Sequence, residues 1–272
     1  YGFISFSYDI TPHLNKQGDN VVAVKVDNSR QPNSRWYTGC GVYRHVYLSK
    51  STDVRVAEWG VQAISEVKKG VGHVTLNTQI DNFSGRSRRV TVRQKLWNKA
   101  RQLVTQALKT CDVAVSGTTV KQQMRVPKPQ LWSPASPNLY TLTTEIIENG
   151  RVLDGDTIRM GMRTVAFDAK QGFFLNGKNM KINGVCLHGD LGCLGAAINE
   201  DALYRQVSMM KAMGANAIRC SHNPPAPELL NLCDSLGMLV VDEAFDSWLH
   251  GKTPFDYSLH FKTWFERDLR DM

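Results

Sequence analysis

The chain has 272 residues, 42% of them hydrophobic and 21% charged, with a formal net charge of +8. It is too apolar for a disordered chain and long enough for more than one core, and no apolar run approaches the ~18 residues of a membrane span. Residues 1–165 carry 23 Lys+Arg against 12 Asp+Glu and residues 166–272 carry 10 against 13; the basic residues are scattered, without a helix-turn-helix or aromatic RNA motif, so a nucleic-acid partner is not expected.

The chain opens on Tyr1-Gly2-Phe3, with neither an initiator Met nor a signal peptide, and its true start is expected upstream. Val22–Val26 and Val42–Leu48 are β-branched and aromatic runs that predict strands. Val74, Leu76, Thr78 and Ile80 alternate with polar residues, as do Val90, Val92, Gln94 and Leu96. That period puts one strand face in a core and the other in water. Turn clusters at 81–85, Asn98-Lys99 and Glu148-Asn149-Gly150 separate the runs, which together predict an antiparallel sandwich.

Near residue 170 the period changes. Leu203, Val207, Met210 and Met213 form a helical stripe that Gly214 ends. Residues 215–220 then read as a strand, 227–236 as a helix stopped by Gly237, and 238–243 as another strand. With a strand over 180–185 and a helix around 261–269, this alternation predicts parallel βαβ units. The six cysteines show neither Cys-x-x-Cys nor zinc spacing and read as small buried hydrophobes.

In a parallel barrel the working residues lie at the C-terminal strand ends. Here those ends read Leu187-His188-Gly189-Asp190, Arg219-Cys220-Ser221-His222-Asn223 and Asp242-Glu243, each switching from apolar to ionisable residues. Any strand reaching a turn becomes polar; three such ends in succession favour a site. Ser221-His222 is no nucleophile–base pair, because neighbours on a strand point to opposite faces and no Gly-x-Ser-x-Gly elbow is present. His188, His222 and Asp242 have metal-ligand chemistry, but histidines this far apart in sequence usually serve as hydrogen-bonding groups. Asn199-Glu200 opens a helix beside Asp201 and reads as an N-cap with acidic residues at the positive helix end.

These stretches resemble glycoside hydrolase family 2, the family of β-galactosidases, β-glucuronidases and β-mannosidases, in the family's order along nearly the whole chain. Arg35-Trp36-Tyr37-Thr38-Gly39-Cys40-Gly41-Val42-Tyr43-Arg44 is similar to the close of its jelly-roll domain, and Leu131-Trp132-Ser133-Pro134 with Asn138-Leu139-Tyr140 to its immunoglobulin-like domain. Gly161-Met162-Arg163 and Phe174-Leu175-Asn176-Gly177-Lys178 resemble the approach to its barrel, and residues 216–225 its motif around the second barrel strand. The resemblance implies a multidomain β plus α/β chain: the end of a jelly-roll sandwich over 1–50, an immunoglobulin-like β-sandwich over 51–165, and the first part of a (β/α)8 TIM barrel over 166–272.

The implied activity is that of a retaining β-glycosidase, β-galactosidase first, acting on a β-linked oligosaccharide or glycoside by double displacement. Its two catalytic glutamates are expected beyond Met272, so the chain is expected to be an internal piece that is inactive alone. His188 and His222 match glycone-binding histidines, Arg219 matches the family's arginine, and Asp190, Asp246 and Trp248 are further sugar-contact candidates. No cofactor is implied. Some β-galactosidases bind magnesium through a glutamate and a histidine after the third strand; Ser247 stands at the glutamate's place and His250 is out of step, so no metal is expected. Ser34-Arg35 also replace an aspartate that some members carry before the jelly-roll tryptophan. The family points to a periplasmic or secreted location and leaves homo-oligomer formation open. The competing reading is a standalone carbohydrate-binding or structural module; a site built wholly from Asp242, Glu243 and Asp190 is disfavoured.

Overall fold

The computed structural model describes residues 1–36 and 39–272. Tyr37 and Thr38 of the stretch similar to the jelly-roll close lie outside the described residues. The chain divides into two compact units, residues 47–182 and residues 1–46 together with 183–272.

The first unit is a sandwich. Strands β1 (Val54–Lys68), β2 (Val71–Asn82) and β5 (Thr118–Pro127) form one sheet in the order β1-β2-β5. Strands β3 (Arg88–Trp97), β4 (Leu103–Val113), β8 (Leu139–Glu148) and β9 (Arg151–Gly161) form the second in the order β4-β3-β8-β9. All pairings are antiparallel. The alternation in the sequence becomes the core: Val74, Leu76 and Ile80 from one sheet meet Val90, Val92, Leu96, Leu142 and Ile146 from the other, all fully buried. Gln94 and Thr78 are buried with them; Gln94 Nε2 donates to Oγ1 of Thr78 at 3.0 Å and of Thr144 at 3.1 Å. Two-residue loops with both residues at positive φ join β1 to β2 (Lys69-Gly70) and β8 to β9 (Asn149-Gly150), the turn that matches strand twist. The short pair β6 (Trp132–Ser133) and β7 (Ser136–Pro137) precedes β8, and β10 (Val165–Asp168), β11 (Gly172–Leu175) and β12 (Lys178–Asn179) form a small antiparallel sheet. Among the described residues no helix interrupts 70–150.

The second unit holds β13 (Gly184–Leu187), α1 (Glu200–Ala212), β14 (Ala217–Cys220), α2 (Pro227–Leu236), β15 (Leu239–Asp242) and α3 (Ser258–Asp271). The three strands pair in parallel in the order β13-β14-β15, with Leu187, Cys220 and Asp242 in register at their C-terminal ends. Leu203 and Val207 of α1 and Leu229 and Cys233 of α2 close over Ile218, Cys220 and Met238. Asn199 Oδ1 caps α1 by accepting from Ala202 N at 2.9 Å, and Pro227 opens α2, which Gly237 ends in the left-handed conformation.

Four local expectations change. The ladder expected over 180–185 starts at Gly184, because Asn216 engages Asn183 on both sides, N to Oδ1 at 2.8 Å and O to N at 2.9 Å, just ahead of it. Met213 caps α1 and is 72% exposed rather than part of the stripe, because the helix ends at Ala212. Val22–Val26 and Val42–Leu48 join no ladder among the described residues; a strand is defined by a neighbour that takes its N–H and C=O groups, and their valines are exposed. Of the cysteines only Cys220 and Cys233 are buried, whereas Cys40, Cys186 and Cys193 are exposed.

Candidate functional site

Alternation along β14 builds the centre of the site. Ile218 and Cys220 turn into the helix-covered core, so Arg219 projects from the opposite face. Its guanidinium grips Glu243 at the end of β15 bidentately, Nε to Oε1 at 2.5 Å and Nη2 to Oε2 at 3.1 Å. His222, just past β14, sets Nδ1 3.1 Å from Oε2 of Glu243 and 3.2 Å from Nη2 of Arg219. A ring nitrogen carries either a proton or a lone pair. The carboxylate favours the proton on Nδ1, which leaves Nε2 as an acceptor. Burial by itself pushes the Glu243 carboxyl up, but the hydrogen bonds and charges of Arg219 and His222 outweigh it and hold the group below its ordinary value.

His188, just past β13, lies with its ring 5.5 Å from that of His222 at 80°. Trp36 from the N-terminal segment completes a three-ring cluster, 5.1 Å from His222 and 6.2 Å from His188. The segment is fastened at several points. The Tyr1 hydroxyl sits against Asn223 Oδ1 and 2.9 Å from the Ala244 carbonyl, and burial raises its pKa. Arg44 donates to the carbonyls of Phe3 at 2.8 Å and Pro224 at 2.7 Å.

The remaining expected residues are placed differently. Asp246 is tied to two cations, Arg35 Nη2 and Lys252 Nζ, each 3.0 Å from Oδ1. Asp190 Oδ1 accepts from Gly192 N at 3.3 Å, closing its own loop. His188 and Asp190 line a cavity of about 60 Å³ together with Phe3, Tyr43, Arg44 and Leu203; His222 is not among its walls. Trp248 packs edge-on against Phe245 and tilted against Phe261 while remaining 55% exposed. Ser247 is buried and donates to Asp256 Oδ2 at 2.9 Å. The Cys186 thiol, beside the Ser221 hydroxyl and 3.7 Å from Arg219 Nη1, is lowered by those two contacts, whereas burial pushes Cys220 and Cys233 up to about 12.

Glu243 as the hub of the polar cluster, and Trp36 and Arg35 as members of the site, were not picked out by sequence. Glu243 carried a signal, a second carboxylate at a strand end. Arg35 and Asp246 are 211 positions apart, and no local pattern reports such a contact.

Residues 54–163 match the family profile described as glycosyl hydrolases family 2, and residues 167–255 match that of its TIM barrel domain. The β-galactosidase BoGH2A of Bacteroides ovatus is 48% identical over 100% of this chain and 32% of its own length. The crystal structure of a glycosyl hydrolase family 2 member from Bacteroides cellulosilyticus superposes with a TM-score of 0.93 at 36% identity, covering 100% of this chain and 37% of that one. Bacteroides uniformis β-glucuronidase 2, solved covalently bound to cyclophellitol-6-carboxylate aziridine, superposes with a TM-score of 0.85 at 29% identity over 97% of this chain and 33% of that one. The chain thus spans about a third of the length of these relatives.

Proposed function

The chain belongs to glycosyl hydrolases family 2, and from that membership we propose that it forms part of a retaining β-glycosidase acting on β-galactosides. Its sandwich and the start of its barrel are the family's domains. In the proposed division, residues 1–50 close a jelly roll, 51–165 form the immunoglobulin-like sandwich and 166–272 begin the barrel. The observation that carries the reading is the cluster of His188, His222, Arg219 and Glu243 at the ends of three adjacent parallel strands, the end at which barrel enzymes work.

Retaining hydrolysis needs one carboxylic acid to protonate the leaving oxygen and a carboxylate about 5–5.5 Å away to attack the anomeric carbon. In this reading those two glutamates lie outside residues 1–272, and the residues here orient the sugar. His222 Nε2, an acceptor in the tautomer Glu243 favours, accepts a hydrogen bond from a glycone hydroxyl. His188 binds a neighbouring hydroxyl, and Trp36 supplies an apolar wall to the pair. Arg219 fixes Glu243 and, through it, the His222 ring. Asp190, Asp246 and Trp248 contribute at the rim.

Relatives named β-galactosidase and β-glucuronidase both match. The relative named β-galactosidase is 48% identical and the β-glucuronidase structure 29%, which supports a galactoside. The test is the gene product carrying this chain, assayed with nitrophenyl β-galactoside, β-glucuronide and β-mannoside, with the anomer released from the best substrate read by proton NMR. Galactoside turnover with retention is expected. Preference for the glucuronide would overturn the sugar, and release of the inverted anomer would overturn the mechanism.

A further inference from the structure

The loop that joins β15 to α3 closes on itself. Asp256 Oδ2 accepts from Thr253 N at 2.8 Å and from Ser247 Oγ at 2.9 Å, and Lys252 Nζ reaches back to Asp246 Oδ1 at 3.0 Å. The Asp246 side chain, only 10% exposed, also takes Arg35 Nη2 at 3.0 Å, from a side chain that is 51% exposed. The same loop holds the N-terminal segment a second time: Phe255 N donates to the Pro32 carbonyl at 3.3 Å. Within the piece so held, Ser34 Oγ donates to the Trp36 carbonyl at 2.7 Å. Residues 32–36 are thus a bonded turn, and two residues of one loop fix it to the barrel segment.

The side chain after Arg35 is Trp36, which meets His222 at 5.1 Å and 65° and His188 at 6.2 Å. Orienting the His222 ring takes two constraints. The contact of Nδ1 with Glu243 Oε2 at 3.1 Å fixes one ring atom. Around that atom the ring can still pivot, and Nε2, its other polar atom, swings with it. An edge-to-face contact with a second ring fixes the plane, and Trp36 supplies that contact. The indole in turn rides on a turn whose side-chain anchor is Asp246.

We propose that Asp246 is a positioning residue for the sugar site: through Arg35 it holds Trp36 against His222, so that Nε2 keeps one direction toward a glycone hydroxyl. The proposal rests on the reading of His222 as a sugar-binding group. Asp246 acts at one remove from the ligand, and the loop between β15 and α3 is its mount. Without its charge, Arg35 and Lys252 are left as two cations gathered around one oxygen that no longer neutralises them, and the Pro32 carbonyl becomes the loop's remaining hold on the turn.

The test uses the gene product labelled with 5-fluorotryptophan, the Trp36 fluorine line being assigned by its absence in Trp36→Phe. Asp246→Asn, Arg35→Met, the two combined and Arg35→Lys are compared with it. Arg35 is half in water, so Arg35→Met stands even where Asp246→Asn disturbs the loop. Both single variants are expected to shift or broaden the Trp36 line and to raise KM for the best nitrophenyl glycoside about fivefold or more, with kcat within about twofold. Because the two residues act as one pair, the double variant is expected to lose no more than the worse single one. The bond is a single one, so Arg35→Lys, which returns a donor, is expected to restore the line and keep KM within about twofold. An unmoved Trp36 line in Arg35→Met would overturn the proposal. So would a moved line with unchanged KM, a loss confined to kcat, or an equal loss in Arg35→Lys. A gene product that hydrolyses none of the glycosides sinks the glycosidase reading, and the Trp36 line still decides whether Asp246 holds the ring.

Discussion

Nδ1 of His222 lies 3.1 Å from Oε2 of Glu243, and the same carboxylate is gripped bidentately by Arg219. One carboxylate thus sets the tautomer of the histidine proposed to bind the sugar and anchors the arginine beside it. Replacing Glu243 by Gln keeps the shape and one acceptor but removes the charge. The His222 tautomer is then free to invert, which turns Nε2 from acceptor to donor. In the gene product, Glu243→Gln is expected to lower kcat/KM about tenfold or more, with most of the loss in KM. Unchanged steady-state constants would reduce the triad to a structural cluster.

Asp256 is expected to contribute to the acid sensitivity of the barrel segment. It is buried just ahead of α3, where Oδ1 accepts from Ser258 Oγ at 2.6 Å and Ser258 N at 3.0 Å, while Oδ2 accepts from Thr253 N at 2.8 Å and Ser247 Oγ at 2.9 Å. Burial alone raises its pKa, but these hydrogen bonds and that from Lys252 N carry it well below the ordinary carboxylate value. A lowered folded pKa means stability that is fully present above the unfolded value, about 4, and is lost as pH falls through the folded one. Urea midpoints of the barrel segment are therefore expected to fall between about pH 4 and pH 2. Asp256→Asn, which turns an acceptor into a donor facing donors, is expected to cost about 2–3 kcal/mol at pH 7 and to flatten that dependence. Equal acid sensitivity in the variant would shift the effect to other carboxylates.

Much of this architecture could be read from sequence because local patterns report local geometry. The alternation at 74–80 and 90–96 marked the buried face of both sheets, Asn149-Gly150 marked its hairpin, and Pro227 and Gly237 marked both ends of α2. Where partners are distant, the pattern was silent. Nothing near Trp36 announces His222, and nothing near Asp246 announces Arg35 as a counter-charge. Hydrophobic runs likewise predict strands only where a neighbour completes the ladder, as Val22–Val26 shows.

Gly161 is a glycine for packing. A Cβ there would lie 2.9 Å from Trp132 Cβ and 3.0 Å from its Cγ. Trp132 is almost wholly buried, its backbone N–H donates to the Met162 carbonyl at 2.8 Å, and the Arg163 guanidinium sits 4.9 Å from its ring. The Gly-Met-Arg and Leu-Trp-Ser-Pro stretches are thus two halves of one contact. Gly161→Ala is expected to destabilise the sandwich by about 1–3 kcal/mol through overpacking, read as a lower denaturation midpoint. Wild-type stability would mean that the tryptophan can shift at no cost.

The 272-residue chain by itself is expected to turn over none of the three nitrophenyl glycosides. Burial raises the Asp242 carboxyl, but Asp242 stands in register with Cys220, whose side chain turns into the helix-covered core, and so on the face opposite Arg219. A general acid must hold its proton near neutral pH, and Glu243 is kept below its ordinary value by Arg219 and His222. A nucleophile must be free to attack, and both oxygens of Glu243 are engaged while Asp246 is bound to Arg35 and Lys252. Asp190 is committed to its own loop. What these residues do well is hold positions, and positioning without an acid and a nucleophile gives binding but not hydrolysis. Galactose should therefore shift proton resonances of His188 and His222 in the purified chain while no nitrophenol is released. Turnover that co-purifies with the chain and disappears in Glu243→Gln would overturn this assignment and make Glu243 a reacting group.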